Sequence, residues 1–276
     1  MPLSVLDLYK DVLPKTNCGD CGFSTCMAFA GMVVSEKHPI GNCPHLLPET
    51  VAACEKELFA QYAAGKWLKK DPAKDALQWA KERSASMALE DLPERIGGTL
   101  VQHGSQTALA LPYFAGTILI LPDRIIQQDG KELNMWEQVF IYNHLAQNGS
   151  ALPSGQWKGF GEFPNTVSKI KNMKAQVETP LAETFKGRVD RLIAAARALG
   201  GKEMTAEAGS ADAAVLFTPL PRVPVMLMFW NAEETDGFEA EARLLFDKTA
   251  TEHLDIESIL FLSERLCRLL CGTGHS

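Results

Sequence analysis

"KTNCGDCGFSTC", residues 15–26, sets three cysteines among glycine and small polar side chains. A fourth follows in "GNCPH" (41–45), completing C-x2-C-x4-C-x16-C through Cys18, Cys21, Cys26 and Cys43. Thiols gathered this densely in a chain without a visible leader point to a metal rather than to disulfides. The stretch therefore decides the first part of the fold, a small helical domain closed around four sulfurs.

Three thiolates from one tight loop and a fourth from the returning chain suit the corners of one [4Fe–4S] cubane. Gly19 and Gly22 lie between the ligands, where they permit positive φ and leave backbone N–H groups free to face cluster sulfurs. Cys26 falls in the first turn of an expected helix, whose positive end favours an anionic cluster. Pro44, directly after the last cysteine, matches the C-P ending of bacterial ferredoxin-type runs. Zinc is the rival ion, but structural zinc prefers two C-x2-4-C pairs, and Cys26 and Cys43 are too distant in sequence to form one. A metal-free thiol cluster is the third reading.

The rest of the sequence bounds the setting. Lys and Arg number 27 against 34 Asp and Glu, a formal charge of −7. That balance argues against nucleic-acid and anionic-membrane binding. The densest basic stretch, "KWLKKDPAK" (66–74), reads as a solvated linker, with a docking patch for an acidic partner as its alternative. "MPLSVLDLYK" lacks the basic start and unbroken apolar run of a signal peptide, and no apolar run is long enough to insert in a membrane. A cytoplasmic location is the expectation.

Periodicity places a helix over "LSVLDLYKDVL" with Leu3, Leu6 and Leu13 on one face, stopped by Pro14. A second begins at Ser24 and Thr25, and Pro48 opens a third that ends at Gly65, with a stripe of Val51, Cys54, Leu58 and Tyr62. Residues 1–66 form the cysteine domain, 67–88 a helical linker, and 89–276 a mixed α+β domain. In the last, short runs bounded by Gly, Pro and Asp ("GTLVQHG", "QTALALPYF", "GTILILPD", "RIIQQDG") read as strands. "ELNMWEQVFIYNHLAQNG", "AETFKGRVDRLIAAARALGG" and "DIESILFLSERLCRLLCG" read as helices, and "AAVLFTPLPRVPVMLMFWNA" and "EARLLFDKT" as three more strands. The fold class is α+β.

The segment "LDLYKDVLPKTNCGDCGFSTCMAFAGMVV" with "NCPHL" resembles the amino-terminal iron–sulfur domain of the large subunit of corrinoid iron–sulfur proteins. That family serves anaerobic one-carbon metabolism in the acetyl-CoA pathway. The resemblance covers residues 3–60. It implies one [4Fe–4S] cluster on Cys18, Cys21, Cys26 and Cys43, which delivers the electron that returns cobalt from Co(II) to Co(I). A looser version of the pattern occurs in a subunit of membrane-associated ferredoxin-oxidising complexes. The family's barrel and corrinoid domain do not follow, and D-x-H-x-x-G is absent. Residues 90–271 instead resemble an uncharacterised domain that often follows such cluster domains in anaerobes. The implied function is electron transfer to a docked or bound acceptor, a corrinoid (cobalamin) above all. Implied partners are a corrinoid protein, a methyltransferase or another redox protein. The alternative is a redox or redox-sensing protein whose second domain binds a protein and no small cofactor.

The other chemistry-bearing residues have dull readings beside sharp ones. Cys54 sits on an apolar stripe and reads as a buried thiol. Cys267 and Cys271, four apart on the last helix, read as core, or as two ligands of a second site. His103, His144 and His253 are axial-ligand candidates for a corrinoid. "VPVMLMFW", with Trp136 and Trp157, is core or the wall of a cavity for a large flat ligand. "GQWKGFGEF" holds only G-x-G and no βαβ context. No nucleophile–base set is recognisable, so an enzyme with its own active site is the least favoured class.

Overall fold

A computed structural model describes residues 3–66, 72–207, 209–233 and 237–272. The chain divides into two units, Met1–Asp71 and Pro72–Ser276.

The first unit is helical. Ser4 opens α1 (Val5–Asp7) with a capping box, its hydroxyl accepting the Asp7 N–H while the Asp7 carboxylate accepts the Ser4 N–H at 2.8 Å. A π-helical turn, Leu8–Val12, continues the chain. Leu8 and Leu13, five residues apart, therefore share the buried face, and Leu6 is turned out at 49% exposure rather than in. In α2 (Cys26–Glu36), Phe29, Ala30, Val33 and Val34 face inward. Pro48 begins α3 (Pro48–Ala63), which buries Cys54 and Leu58. The Tyr62 hydroxyl donates to the Val33 carbonyl at 2.5 Å and ties α3 to α2. These side chains make one apolar core, in which Cys26 and Cys43 are themselves members.

The second unit starts with α4 (Pro72–Ser84) and α5 (Leu92–Ile96). The basic stretch expected as a linker lies mostly outside the described residues, since 67–71 are among those not described. Its sequel α4 packs on the second unit, with Ala80 in that unit's core. An antiparallel meander follows, β1 (Thr99–His103), β2 (Gln106–Tyr113), β3 (Gly116–Ile120) and β4 (Ile125–Gln127), and then α6 (Met135–Gln147). Asn134 caps α6 with Glu137, and Asn148 closes it at φ 49°.

Beyond α6 come β5 (Trp157–Gly159), α7 (Ile170–Met173), α8 (Thr179–Phe185), α9 (Val189–Ala198), β6 (Lys202–Glu203), β7 (Ala213–Leu220), β8 (Val223–Trp230), β9 (Glu241–Asp247), α10 (Ala250–His253) and α11 (Ile256–Cys271). A π turn, Lys174–Glu178, joins α7 to α8. The helix expected over 182–201 is two helices, because Gly187 takes φ +69° between them. The second sheet is antiparallel in the order β5-β9-β8-β7-β6. From Val225 onward β8 alternates: Val225, Leu227 and Phe229 are buried, while Met226, Met228 and Trp230 on the other face are half-buried.

Two buried polar clusters fix this unit. The Tyr113 hydroxyl donates to Glu137 Oε1 at 2.8 Å, and Arg265 Nε lies 2.7 Å from the same oxygen, joining β2, α6 and α11. Burial first, and the Glu137 charge second, push the Tyr113 hydroxyl far above its usual pKa, so it stays a donor. At the end of β9, the buried Asp247 carboxylate accepts from Ser154 Oγ (2.9 Å), Gly155 N (2.6 Å), Thr249 N (2.9 Å) and Thr249 Oγ1 (2.8 Å). Burial alone would raise its pKa, but the converging N–H and hydroxyl donors hold it at about 2.

Candidate metal centre

The cysteine loop is shaped by torsions that ordinary residues avoid. Gly19 and Gly22 have φ of +84° and +85°, and the Gly22 N–H donates to the Gly19 carbonyl at 2.8 Å across a tight turn. A Cβ at either glycine would meet nothing within 4 Å, so the torsion, and not space, requires glycine. The expectation that both glycine N–H groups are free needs correcting, since the Gly22 donor is used to close the turn.

Two side chains fasten the loop. Asn17, itself at φ 50°, accepts the Cys26 N–H on its Oδ1 at 2.8 Å and binds the loop's start to the first residue of α2. Thr25 caps the same helix, its hydroxyl accepting the Ala28 N–H at 3.1 Å. Phe23 sets its ring 5.8 Å from Phe29 and 5.2 Å from His38, which anchors the middle of the loop in an aromatic cluster.

Cys26 and Cys43 lie in the core at 6% and 5% exposure, Cys21 is half-buried, and Cys18 is exposed. Cys43 follows a 3-10 turn, Ile40–Asn42, that brings the returning chain back to the loop. Burial pushes the Cys43 thiol above its ordinary pKa, the backbone at His45 opposes this, and charge on Cys21, Cys26 and Cys18 pushes it higher. The other three cysteines thus lie near enough to Cys43 for their charge to act on it. Thiolates gathered here would repel one another, and a bound cation, whether an iron–sulfur core or zinc, would offset that repulsion. The donor set fits an iron–sulfur cluster, with Cys18 on the solvent side.

A neighbouring group escaped the sequence reading. His45 Nε2 lies 2.7 Å from Asp20 Oδ2, and the Cys18 sulfur joins them so that the three ligand atoms lie within 4.8 Å of one another. The hydrogen bond from His45 first, and that from the Cys18 thiol second, lower the Asp20 pKa. Its signal was the placement of Asp20 between two cysteines and His45 two residues after the last, which matters only once the chain has folded back.

The remaining candidates separate. Cys54 is buried in α3, and burial raises its pKa. Cys267 and Cys271 sit with their sulfurs 4.0 Å apart in the second unit. His103 is exposed at the end of β1. His144 and His253 are fully buried with rings 5.8 Å apart, bonded through one nitrogen each to the carbonyls of His253 (3.0 Å) and Ala151 (2.9 Å). Burial lowers both pKa values, that of His144 to about 4, so both rings are neutral at pH 7. Gly149 packs so closely here that a Cβ would stand 2.1 Å from the Glu252 carbonyl oxygen and 3.0 Å from His253 Nδ1. The three histidines are thus not brought together around one cavity. Trp230 borders a cleft of about 650 Å³ with Phe238, Asp212 and Arg243. "GQWKGFGEF" becomes β5 and a 3-10 turn.

Among the described residues no helix is long and apolar enough to cross a membrane. Residues 13–45 match a family described as "Putative Fe-S cluster", and residues 88–269 match the family described as "Domain of unknown function (DUF3786)". The corrinoid/iron-sulfur protein large subunit of Moorella thermoacetica is 50% identical over 46 residues, which cover 17% of this chain and 10% of that protein. Acetyl-CoA decarbonylase/synthase complex subunit gamma 2 of Methanosarcina mazei is 26% identical over 169 residues, or 60% of this chain and 32% of that protein. The corresponding gamma subunit of Methanocaldococcus jannaschii is 48% identical over 44 residues, or 16% of this chain and 9% of that protein. The chain thus spans a third or less of each of these relatives. No solved structure matches.

Proposed function

The chain belongs to the family described as Domain of unknown function (DUF3786), and from that premise, joined to its iron–sulfur segment, we propose that it is a one-electron carrier of anaerobic one-carbon metabolism. Cys18, Cys21, Cys26 and Cys43 hold one [4Fe–4S] cluster, and the second unit docks the electron acceptor. What supports this reading is the match of residues 13–45 to an iron–sulfur family, joined to the burial of Cys26 and Cys43 in the first unit's core. A cubane bound there supplies a single electron per reduction.

The protein's own residues set the conditions. Asn17 and Thr25 occupy the Cys26 and Ala28 N–H groups, so those donors orient the helix start and do not reach toward sulfur. Phe23, Phe29 and His38 shield the inner side of the loop, while exposed Cys18 marks the edge from which an electron reaches a partner. The acceptor chemistry that fits a one-electron donor of this kind is Co(II) of a corrinoid. The burial of His144 and His253 favours a corrinoid carried by a partner protein over one ligated within this chain.

Anaerobically purified protein should contain iron and acid-labile sulfide in equal amounts, four of each per chain. Reduction should produce an EPR signal of a single cluster. Zinc without labile sulfide would end the proposal. Addition of Co(II) cobalamin, free or on a corrinoid protein, to the reduced chain should form Co(I) and bleach the cluster signal. Electron transfer to the protein-bound form alone would support docking, and transfer to neither would remove the corrinoid.

A further inference from the structure

Cys267 and Cys271 lie in the second unit, far in sequence from the cysteine loop. Their sulfurs are 4.0 Å apart on successive turns of α11, and each also approaches a carbonyl of the helical stretch beside it: Cys267 Sγ to Val177 O at 3.6 Å, Cys271 Sγ to Pro180 O at 3.9 Å. The two differ in surroundings. Cys267 is 3% exposed, whereas Cys271 is half-buried and is the last residue of α11 before Gly272 at φ +73°.

We propose that Cys267 and Cys271 are a thiol–disulfide couple that reacts with low-molecular-weight disulfides. The Cys271 thiolate attacks one sulfur of R–S–S–R, forms a Cys271–S–S–R bond and expels R–S⁻. Cys267 then gives up its proton and attacks Cys271 Sγ, which breaks the mixed disulfide and expels the second R–S⁻. The two thiols lose two electrons in all, and the small disulfide gains them as two thiols, one of which takes the Cys267 proton.

The roles follow from the environment. A hydrogen bond from Cys267 first, then the Thr184 hydroxyl and the Arg191 charge, favour thiolate at Cys271 against partial burial; Cys267, bonded to Cys271 and buried, is held protonated. Arg268 and Glu264 also face Cys267, with opposed effects, and the carbonyl end of α11 opposes charge at Cys271. Closure requires a small movement of the last turn. Residues four apart on a helix hold their Cβ atoms about 5–6 Å apart, and a disulfide needs about 3.5–4.5 Å. The last turn must tighten by the difference, and it lies at the C-terminal end of α11, which is capped by Gly272 through its N–H to the Arg268 carbonyl.

The test uses the full-length protein with its cluster, kept anaerobic and treated with oxidised glutathione, then denatured, alkylated and digested with trypsin. Cleavage after Arg265 and Arg268 separates the cysteines, so a peptide starting at Leu266 linked to one starting at Leu269 identifies the disulfide. That linked species is expected in the wild type and absent from Cys267→Ser and Cys271→Ser, with glutathione retained on Cys271 in the former. Iron content should be unchanged, which separates this couple from any fault in the cluster assignment. Wild-type protein that stops at a glutathione adduct, or leaves both thiols fully alkylated, would overturn the proposal without need of either variant.

Discussion

Acid should weaken the second unit chiefly through Asp247, and Asp247→Asn should remove that dependence. The carboxylate is fully buried and accepts four hydrogen bonds from Ser154, Gly155 and Thr249. Its pKa of about 2 stands against an ordinary 3.8. At about 1.4 kcal/mol per pKa unit, that difference contributes roughly 2.5 kcal/mol of stability at neutral pH. A pKa lowered by folding gives stability that is complete well above 3.8 and drains as pH falls toward about 2. By pH 3 roughly half should remain. The amide in Asp247→Asn carries no charge and turns one acceptor into a donor facing other donors. It should therefore cost about 2–3 kcal/mol at pH 7. Urea unfolding followed by tryptophan fluorescence reads this well, because Trp157 of β5 pairs with Asp247 in register. Comparing the two proteins at each pH cancels any loss of the cluster in acid. A stability gap as wide at pH 3 as at pH 7 would refute the reasoning, since it would show that ionisation of Asp247 is not what stabilises the end of β9.

Alanine at Cys18, Cys21, Cys26 or Cys43 should reduce bound iron and labile sulfide to background in a purified-protein assay, whereas Cys54→Ser, on the buried stripe of α3, should leave both in place. Asn17→Ala strips the Cys26 N–H of its acceptor. It should cost about 1 kcal/mol and hasten iron release to a chelator without changing the iron initially bound. Gly149→Ala drives a methyl group into the Glu252 carbonyl 2.1 Å away. A cost of about 1–3 kcal/mol should appear as a lower melting temperature with the cluster spectrum unchanged.

Much of the local structure was legible from residue order. Thr25 caps its helix with a side-chain bond and Pro48 opens another, as cap chemistry requires. The apolar run "VPVMLMFW" was legible as a strand, but which face it buries was not, since all eight residues are apolar. Errors came where a local rule had two solutions. A π turn displaced Leu6 from the core, and Gly187 broke a run whose periodicity alone looked continuous. Of the candidate site, the four sulfurs were visible and their supports were not. Asn17 reaches Cys26 across nine residues and His45 reaches Asp20 across 25, distances over which no periodic pattern operates.

The order of the amino acids by itself determined the four-thiol pattern and the starts of α2 and α3, because each depends on spacing along a few turns of chain. The tertiary structure decided that β5 joins β9 at one edge of the second sheet, that His144 and His253 meet inside it, and that Cys267 lies buried while Cys271 stays half-open. Those outcomes depend on which distant surfaces bury one another best, a choice made by the summed packing of the whole core and not by any segment's own propensity.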